Sequence, residues 1–345
     1  MKTRVAPLGD FLFMEKPLID VRSPSEFARG HIPGAINIPL LDDEMRRRVG
    51  ITYAQRGRQE AVREGFRVTA RWLPELSHQL GKWSGYGGLR VYCWRGGMRS
   101  ESMAFLAGML GISSVVLEGG YKAFRRQAHA YFEKKWRLVV LGGMTGSGKS
   151  LLLRQLKHIG YQVLDLEALA SHKGSVFGHI GQDPQPTTEQ FENLVFDQLL
   201  HFDPMQPVWV EDESITVGRC FIPRLFFDQM QKAPLILINV DQDTRANRLA
   251  EEYGQHGPEE LLASVDKLSR RLGLERAARI KALIGKGELR EAAASLLDYY
   301  DKAYNLCISR RDKSFVHVVE GWPDVSSLGA MGLQVLAEGL RGPEE

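Results

Sequence analysis

Short apolar runs alternate along the whole chain with longer stretches in which apolar and charged positions follow helical spacing. Such runs are typical of strands buried on both faces, and the stretches between them are typical of amphipathic helices. Strands that alternate with helices predict parallel sheets covered by helices. The pattern therefore indicates the α/β class, and the sequence contains no internal repeat or low-complexity segment.

The first strands and helices fall within residues 17–40. An apolar run ends at Asp20, and Ser23 then caps a helix that has Pro24 at its first position. Glu26 lies three residues after the cap, so Ser23 and Glu26 are placed to form a capping box. After this helix the chain resumes an extended pattern, so the segment predicts strand, helix and strand.

Two further groups of elements follow. Residues 42–80 predict basic helices, residues 89–93 a buried strand followed by a glycine-containing turn and a helix, and residues 114–120 another strand. Residues 121–136 predict a connecting helix, after which a second α/β series begins. The strand candidates of this second series are residues 137–142, 162–166, 207–211, 234–240 and 315–319.

The length of 345 residues exceeds what one typical core contains and suits two domains. We expect one parallel-sheet domain at residues 1–130 and another at residues 136–345. Hydrophobic residues make up 43% and charged residues 25% of the chain, which is ordinary globular usage. No apolar run approaches the roughly 20 residues that cross a bilayer, and the N-terminus lacks a signal-peptide core. We therefore expect a cytoplasmic protein without membrane contact.

The formal net charge is only +3, but the basic residues are concentrated in three clusters. Such clusters are able to bind a phosphate backbone, whereas the alternative is a set of solvated helix faces. The clusters are Arg46, Arg47, Arg48, Arg56, Arg58, Arg63, Arg67 and Arg71; Arg125, Arg126, Lys134, Lys135 and Arg137; and Arg270, Arg271, Arg276, Arg279 and Lys281.

The three cysteines, Cys93, Cys220 and Cys307, lie far apart in the sequence. An odd and sparse set is not a disulfide framework, and no C-x-x-C pair suggests zinc. Cys220 and Cys307 lack an anion-binding context, and we interpret both as packing residues. No firm metal site is predicted.

Cys93 is a candidate nucleophile because it ends a strand and opens a loop that leads into a helix. The loop can wrap backbone N–H groups around an anion, and the helix N-terminus adds partial positive charge. Two glycines allow close approach and Arg99 adds positive charge, a setting that favours the thiolate. The residues of this anion loop are Trp94, Arg95, Gly96, Gly97 and Met98. The alternative interpretation is an inert cysteine at a buried strand end.

A second anion-binding motif, G-x-x-x-x-G-K-S, lies between an apolar run and a helical stretch at residues 143–150. In this context the motif predicts a P-loop, whose backbone N–H groups hold two linked phosphates. Lys149 would neutralise them, and the hydroxyl of Ser150 would bind Mg²⁺. The other diphosphate-binding candidates are Gly143, Thr145, Gly146, Ser147 and Gly148. A P-loop predicts diphosphate binding but not ATP hydrolysis.

Acidic side chains near two strand ends are expected to complete this second site. Glu211 or Asp212, at the end of an apolar run, would contact Mg²⁺ or act as the acidic partner. Asp165 and Glu167 end the neighbouring predicted strand and would face the same site.

Two further segments are candidates for substrate contact. Arg245 and Arg248 lie one turn apart on a predicted helix and would clamp phosphates, or else form surface ion pairs. The glycine-containing, basic loop at residues 172–179 would receive a substrate, or else is a plain connection.

The N-terminal sequence resembles the rhodanese domain signature. Residues 20–27, DVRSPSEF, and residues 30–37, GHIPGAIN, carry the resemblance, and Cys93 falls where that family keeps its sulfur-carrying cysteine. Rhodanese loops commonly place an arginine five positions after that cysteine, whereas Arg99 comes six positions after Cys93. The longer loop is similar to that of rhodanese-related phosphatases and implies a larger anion, such as phosphate or selenophosphate.

Over nearly its whole length the chain resembles the bacterial tRNA 2-selenouridine synthases, which join a rhodanese domain to a P-loop domain. One residue departs from the family pattern in a minor way, since Lys302 stands where the family is expected to have proline. The matching segments are CWRGGMRS at residues 93–100, DLEALASHKGSVFG at 165–178, VEDES at 210–214, DTRANRLAEEY at 243–253 and LLDYYDKAY at 296–304.

The resemblance implies a chain that acts on 2-thiouridine at the wobble position of tRNA. Geranyl diphosphate would first alkylate the sulfur, and selenophosphate would then supply selenium as the geranyl thiol leaves. Geranyl diphosphate would lie at the P-loop with Lys149 beside the departing diphosphate, and Cys93 would handle selenium. The basic clusters would bind the anticodon arm, and a selenophosphate-producing enzyme is a candidate partner.

Three other functions fit some of these motifs. The first is an ATP-dependent small-molecule kinase with a rhodanese sulfur donor, which predicts ATP turnover without tRNA. The second is a phosphatase-like module regulated by nucleotide, and Tyr92 stands against it because such phosphatases have histidine before the cysteine. The third is a tRNA sulfurtransferase that stops at sulfur.

Overall fold

The computed structural model describes residues 4–341, and the chain divides into two compact units, Met1–Tyr131 and Phe132–Glu345. The division falls inside helix α6, Gly120–Glu133, in the segment that the sequence predicts as a connecting helix. Each unit contains its own five-stranded sheet, and all strand pairs in both sheets are parallel. The predicted α/β class is therefore confirmed.

The sheet of the first unit has the strand order β1-β5-β4-β2-β3. Its strands are β1 (Arg4–Ala6), β2 (Leu18–Asp20), β3 (Ile36–Asn37), β4 (Leu89–Tyr92) and β5 (Ser114–Leu117). The sequence pattern predicts all of these except β1. This short strand at the sheet edge buries only its last residue, so it has no apolar run that would mark it.

Helices cover this first sheet. They are α1 (Leu8–Leu12), α2 (Pro24–Arg29), α3 (Asp43–Thr69), α4 (Leu73–Gly81), α5 (Met98–Met109) and α6. The predicted capping box begins α2, where the Ser23 backbone N–H donates to the Glu26 carboxylate at 3.2 Å. Helix α3 is kinked at Gly57, whose φ of 80° lies in the left-handed region that favours glycine.

The sheet of the second unit has the strand order β12-β11-β6-β8-β7, with β6 in the centre. Its strands are β6 (Leu138–Gly143), β7 (Gln162–Leu164), β8 (Val208–Glu211), β11 (Leu235–Asn239) and β12 (Val316–Glu320). The sequence predicts each of these strands, but it extends β7 too far. Asp165 does not end the strand, because its side chain accepts a hydrogen bond from the Ala168 N–H at 2.8 Å and begins helix α8 (Leu166–Leu169).

The remaining elements of the second unit are mostly helices. They are α7 (Lys149–His158), α9 (Thr188–Leu200), α10 (Arg224–Lys232), α11 (Gln242–Tyr253), α12 (Pro258–Leu272), α13 (Leu274–Gly285), α14 (Leu289–Ile308), a 3₁₀ turn (Lys313–Phe315) and α15 (Val325–Arg341). A two-stranded antiparallel hairpin, β9 (Thr216–Val217) and β10 (Cys220–Phe221), is absent from the sequence prediction because its strands are too short to show a periodicity.

Two large apolar cores lie in the described part of the second unit. One lies around the sheet and includes Val139, Leu141 and Trp209. The other is built by helices α12, α13 and α14 and includes Val265 and Ile280. None of the helices described between residues 4 and 341 is long and apolar enough to span a membrane.

Candidate functional site

The thiol loop, residues 93–99, joins strand β4 to helix α5 in the first unit. It turns at Gly96, where φ is +67° and where a Cβ atom would lie 2.3 Å from the carbonyl oxygen of Leu117. The loop also packs against Gly120, where a Cβ atom would lie 2.3 Å from the Cys93 carbonyl oxygen and 2.5 Å from the Gly96 nitrogen. Glycine is therefore required at both positions. The sequence prediction includes Gly96 but not Gly120.

The Cys93 sulfur lies at the base of this loop. The residue is only 4% exposed, and its Sγ lies 3.2 Å from the Ser100 hydroxyl and 3.8 Å from the Gly97 carbonyl oxygen. The Ser100 hydroxyl also donates to Gly97 O at 2.9 Å. Ser100 is thus placed to turn its proton towards a thiolate. Sequence reasoning did not assign it a role, although it directly follows Arg99.

Around the sulfur, the side chains of Trp94, Arg95 and Met98 are exposed at the surface of the loop. Arg99 is held instead by Glu26, with N–O distances of 2.6 and 3.3 Å. Burial disfavours the charged form of Glu26, but hydrogen bonds and attraction from Arg99 outweigh this effect and lower the pKa of the carboxyl. Glu26 therefore fixes the arginine at the end of the thiol loop.

The P-loop, residues 143–150, joins the central strand β6 to helix α7. Gly146 and Gly148 adopt φ values of +80° and +85°, so the motif's glycines supply left-handed conformations that other residues rarely adopt. The Lys149 ammonium donates to the Gly143 carbonyl oxygen at 2.9 Å, which folds the side chain back over the loop. The predicted strand–loop–helix context of the motif is confirmed.

Two of the predicted acidic partners lie beside the P-loop. The Glu167 carboxylate accepts a hydrogen bond from the Ser150 hydroxyl at 2.7 Å. Glu211 is fully buried and accepts from the Leu166 N–H at 2.8 Å, while its other carboxylate oxygen has no hydrogen-bond partner among the described residues. Burial, reinforced by Asp165 and Glu167, raises the pKa of Glu211 well above its usual range.

Asp212 is placed differently from Glu211. Its carboxylate accepts from Arg311 at 2.7 Å and from the Tyr304 hydroxyl at 2.9 Å. The Tyr304 hydroxyl in turn accepts from the Gly143 N–H at 2.8 Å, so Asp212 is linked to the first glycine of the P-loop through the tyrosine. Asp212 therefore supports the loop from behind and has no oxygen left free of these bonds.

Glu213 is a member of the site that sequence reasoning did not single out. A Cβ atom at Gly174 would lie 2.9 Å from one Glu213 oxygen and 3.0 Å from a Glu167 oxygen, so the two carboxyl groups meet at this glycine. Burial and the charge of Glu167 raise the pKa of Glu213 to about 8, against the opposing attraction of Lys149. The available signal was its place as the third of three consecutive acids, the first of which is the last residue of β8.

Among residues 4–341, no group of three or more His, Cys, Asp and Glu side chains is arranged to hold a metal ion. The oxygen atoms of Ser150 and Glu167 have the chemistry that Mg²⁺ prefers. A bound diphosphate would supply further oxygen ligands to an ion held there.

The two predicted clamp arginines have separate surroundings. Arg245 is buried and donates to the carbonyl oxygens of Val240 at 3.0 Å and Thr145 at 3.2 Å, and it forms a two-point ion pair with Asp301. All of its guanidinium nitrogens are thereby engaged. Arg245 supports the P-loop from α11, and the Asp301 ion pair connects it to α14.

Arg248 lies on the outer side of the P-loop. It donates to the Ser147 carbonyl oxygen at 2.8 Å, and its guanidinium lies 4.4 Å from the centre of the Trp322 ring. The same ring covers Gly148, where a Cβ atom would lie 2.6 Å from it. Trp322 is a further residue at this site that sequence reasoning missed, because it comes from a loop after the last strand.

We expect Arg245→Ala to lower the free energy of unfolding of the second unit by about 3 kcal/mol, because it leaves Asp301 without its charged partner in a largely buried position. Urea unfolding followed by tryptophan fluorescence measures the change. Arg290→Ala is the matched control on α14, since its ion pair with Asp243 is exposed and should contribute less than about 1 kcal/mol. Equal unfolding midpoints for the two variants would contradict the prediction.

Many residues of the first and third basic clusters form local ion pairs. Within α3, Arg47 pairs with Glu44, while Arg48 and Arg67 both pair with Glu64. In the third cluster, Arg276 pairs with Asp298 and Lys281 with Asp266. Local acids therefore neutralise part of the positive charge that the sequence concentrates in these segments.

The fold and the two loops define a protein that joins a rhodanese-like domain to a P-loop domain. Residues 8–127 match the rhodanese-like domain model, and residues 136–327 match the model of the tRNA 2-selenouridine synthase AAA domain. The chain belongs to the tRNA 2-selenouridine synthase family.

Individual relatives span most of the chain. The tRNA 2-selenouridine synthase of Alcanivorax borkumensis is 36% identical over 339 residues, covering 86% of this chain and 91% of its own. The synthase of Bordetella bronchiseptica is 34% identical over 329 residues, covering 84% and 88%. Among solved structures, a gluconokinase from Sinorhizobium meliloti is 15% identical and covers 61% of this chain and all of its own, with a TM-score of 0.30.

Proposed function

We propose that this chain converts wobble 2-thiouridine of tRNA to 2-selenouridine in two steps, with geranyl diphosphate and selenophosphate as co-substrates. The observation that carries the proposal is the presence of a thiol loop and a P-loop in one member of this family. The P-loop suits the diphosphate of the first step, and the thiol loop suits the selenophosphate of the second step.

In the first step, the sulfur of 2-thiouridine attacks C1 of geranyl diphosphate and the diphosphate leaves. The P-loop backbone and Lys149 would bind the diphosphate and stabilise the charge that develops as the C–O bond breaks. The Lys149 ammonium donates to the Gly143 carbonyl oxygen across the loop. A rotation of the side chain would therefore bring the ammonium to a diphosphate bound by the P-loop. Mg²⁺ held by Ser150 and Glu167 would supply additional positive charge at the diphosphate.

Arg248 is the better of the two candidates for phosphate contact in this proposal. It lies at the outer side of the P-loop with one bond to Ser147 O, whereas the guanidinium of Arg245 is fully engaged inside. We assign Arg245 a supporting role.

In the second step, the Cys93 thiolate would attack the phosphorus of selenophosphate, so that the P–Se bond breaks and selenide is released. The selenide would then attack C2 of the base as the C2–S bond breaks and the geranyl thiol leaves, and water would hydrolyse the S-phosphocysteine to free thiol and phosphate. Alkylation turns the sulfur into a better leaving group, which explains why the two chemistries belong together. Cys93 would act as the thiolate that handles selenium, with Ser100 as its hydrogen-bond donor and Arg99 close to the loop. A selenophosphate-producing enzyme would be the supplying partner.

The chain would bind the anticodon arm of the tRNA, because the unstacked bases of its loop can rotate out of the loop and into an active-site pocket. Among residues 4–341, exposed basic side chains that form no ion pair, such as those of Arg56, Arg58 and Arg279, are the better candidates for phosphate contact than the paired ones.

Reconstitution tests the whole proposal. The purified chain is incubated with an anticodon stem–loop RNA that carries 2-thiouridine at the wobble position, and the nucleosides are measured by mass spectrometry. We expect S-geranyl-2-thiouridine with geranyl diphosphate alone, and 2-selenouridine only when selenophosphate is also present. Formation of 2-selenouridine without geranyl diphosphate, or ATP turnover without RNA, would contradict the proposal.

A further inference from the structure

The loop after strand β12 places a tryptophan at the outer side of the P-loop. Trp322 follows the strand, and the backbone N–H of the preceding Gly321 donates to the Asn239 carbonyl oxygen at 2.8 Å. On the other side of the tryptophan, the Asp324 carboxylate accepts from the Ser327 N–H at 2.9 Å in the first turn of helix α15. The loop is thus fixed on both sides of Trp322, so the fold defines where its ring lies.

The Trp322 ring contacts two parts of the diphosphate site. Its edge covers Gly148, where a Cβ atom would lie 2.6 Å from the ring. The Arg248 guanidinium lies over the ring, 4.4 Å from its centre, and donates to the Ser147 carbonyl oxygen at 2.8 Å. Because Gly148 directly precedes Lys149, the ring adjoins the residue that the proposed function places beside the departing diphosphate.

The tryptophan keeps surface for a ligand despite these contacts. The residue is 39% exposed, although a large aromatic ring gains stability from burial. Within residues 4–341, its indole N–H has no hydrogen-bond acceptor and no other aromatic ring stacks on it. Exposed aromatic rings and arginine guanidinium groups are the surfaces on which proteins stack the splayed bases of RNA. Trp322 and Arg248 offer both beside the P-loop.

We propose that Trp322 is the surface on which the wobble base of the tRNA stacks while its sulfur reacts at the P-loop. The inference rests on the proposed function, which brings 2-thiouridine to a diphosphate ester bound there, and adds the residue that orients the base. A base that rotates out of the anticodon loop loses its stacking on neighbouring bases, and the indole ring would replace that contact. Because the ring adjoins Gly148, a base stacked on it would lie next to the diphosphate.

RNA binding to the full chain tests this role. Two anticodon stem–loop RNAs are compared by fluorescence anisotropy, one with 2-thiouridine at the wobble position and one that lacks the base there. We expect the wild-type chain to bind the thiouridine RNA on the order of 10-fold more tightly than the abasic RNA. Trp322→Leu should reduce this ratio to less than about two-fold, whereas Trp322→Phe keeps an aromatic face and should retain a ratio above about three-fold.

The matched control is Phe315→Leu. Phe315 lies in the 3₁₀ turn at the other end of β12 and is 38% exposed, so this substitution removes a similarly exposed ring from the same strand. It should leave the ratio unchanged. Binding of inorganic diphosphate to Trp322→Leu, measured by calorimetry, should stay within about three-fold of wild type, because the P-loop and the Arg248 bond to Ser147 are retained. A general loss of folded protein would weaken the binding of both RNAs equally and would leave their ratio unaltered.

The outcomes separate the inference from the proposed function. A ratio that is lost in Trp322→Leu but retained in Trp322→Phe and in the control supports the inference. If the wild-type chain transfers geranyl but binds both RNAs equally, or if Trp322→Leu keeps the wild-type ratio, the inference is overturned and the proposed function stands. A Trp322→Leu variant that weakens the binding of ATP relative to inorganic triphosphate, with no change in the RNA ratio, would assign the ring to a nucleotide and also overturn the inference. If the wild-type chain neither binds the thiouridine RNA nor transfers geranyl to it, the proposed function is overturned, and the inference with it.

Discussion

Replacement of Lys149 by alanine is expected to lower the rate of geranyl transfer to 2-thiouridine RNA on the order of 10²–10³-fold. The lysine ammonium lies over the P-loop, 2.9 Å from the Gly143 carbonyl oxygen, where a bound diphosphate would come within its reach. The diphosphate gains negative charge as it leaves, and Lys149 would supply positive charge where that gain occurs. Single-turnover kinetics with the enzyme in excess over the RNA measures the rate of this step directly.

The control for this prediction is Lys157→Ala, which removes a lysine from the last turn of the same helix, far from the loop. It should leave the rate within about two-fold of wild type. If the Lys149→Ala variant transfers geranyl at the wild-type rate, the proposed role of the P-loop in the reaction is contradicted. A variant that loses transfer but still converts previously geranylated RNA would confirm that Lys149 serves only the first step.

The chain's strands were predictable where burial on both faces leaves a continuous apolar run. Strand β6, all of whose residues are buried, shows this most clearly. Strand β1 could not be predicted, because its extended conformation depends on pairing with β5, which lies more than a hundred residues away in the sequence. The end of β7 was missed for a local reason, since the side chain of Asp165 begins a helix at the point where the apolar pattern continues.

The site shows the same division between local and long-range signals. The two loops were predictable because glycine, lysine and cysteine spacing reports a local backbone geometry. Partners from distant segments were not predictable, such as Glu26 for Arg99 and Tyr304 for Gly143. These pairs form only when the sheet brings together residues that are 73 and 161 positions apart. The same reason applies to Arg245: the sequence analysis left a phosphate clamp and a surface ion pair open, and the buried ion pair with Asp301, 56 positions away, was not predictable.

The segment LLDYYDKAY, one of the segments that carry the family resemblance, contains two residues whose structural role the sequence alone did not reveal. Asp301 forms the ion pair with Arg245, and Tyr304 accepts from the P-loop Gly143 N–H. The segment therefore supports the P-loop from α14 through two independent contacts. Lys302, the residue that departs from the family pattern, is exposed and lies between them.

Replacement of Cys93 by serine is expected to abolish conversion to 2-selenouridine, with a loss on the order of 10³-fold or more, while geranyl transfer continues. A serine hydroxyl keeps nearly the same shape beside Ser100 and Gly97, but it is a far weaker nucleophile than a thiolate. The variant should therefore accumulate S-geranyl-2-thiouridine. Mass spectrometry of nucleosides from a reaction with both co-substrates reveals that accumulation.

The burial of Cys93 makes this the most demanding test of the proposal. At 4% exposure, the residue packs with the apolar core of the first unit, and an inert structural cysteine would have the same surroundings. Previously geranylated RNA with selenophosphate separates the two interpretations, because it requires only the second step. Cys307 is exposed on α14, so its interpretation as a packing residue is wrong, and Cys307→Ser is the control that should retain full conversion. If Cys93→Ser also retains it, the sulfur has a packing role, and the anion bound by the thiol loop must react without it.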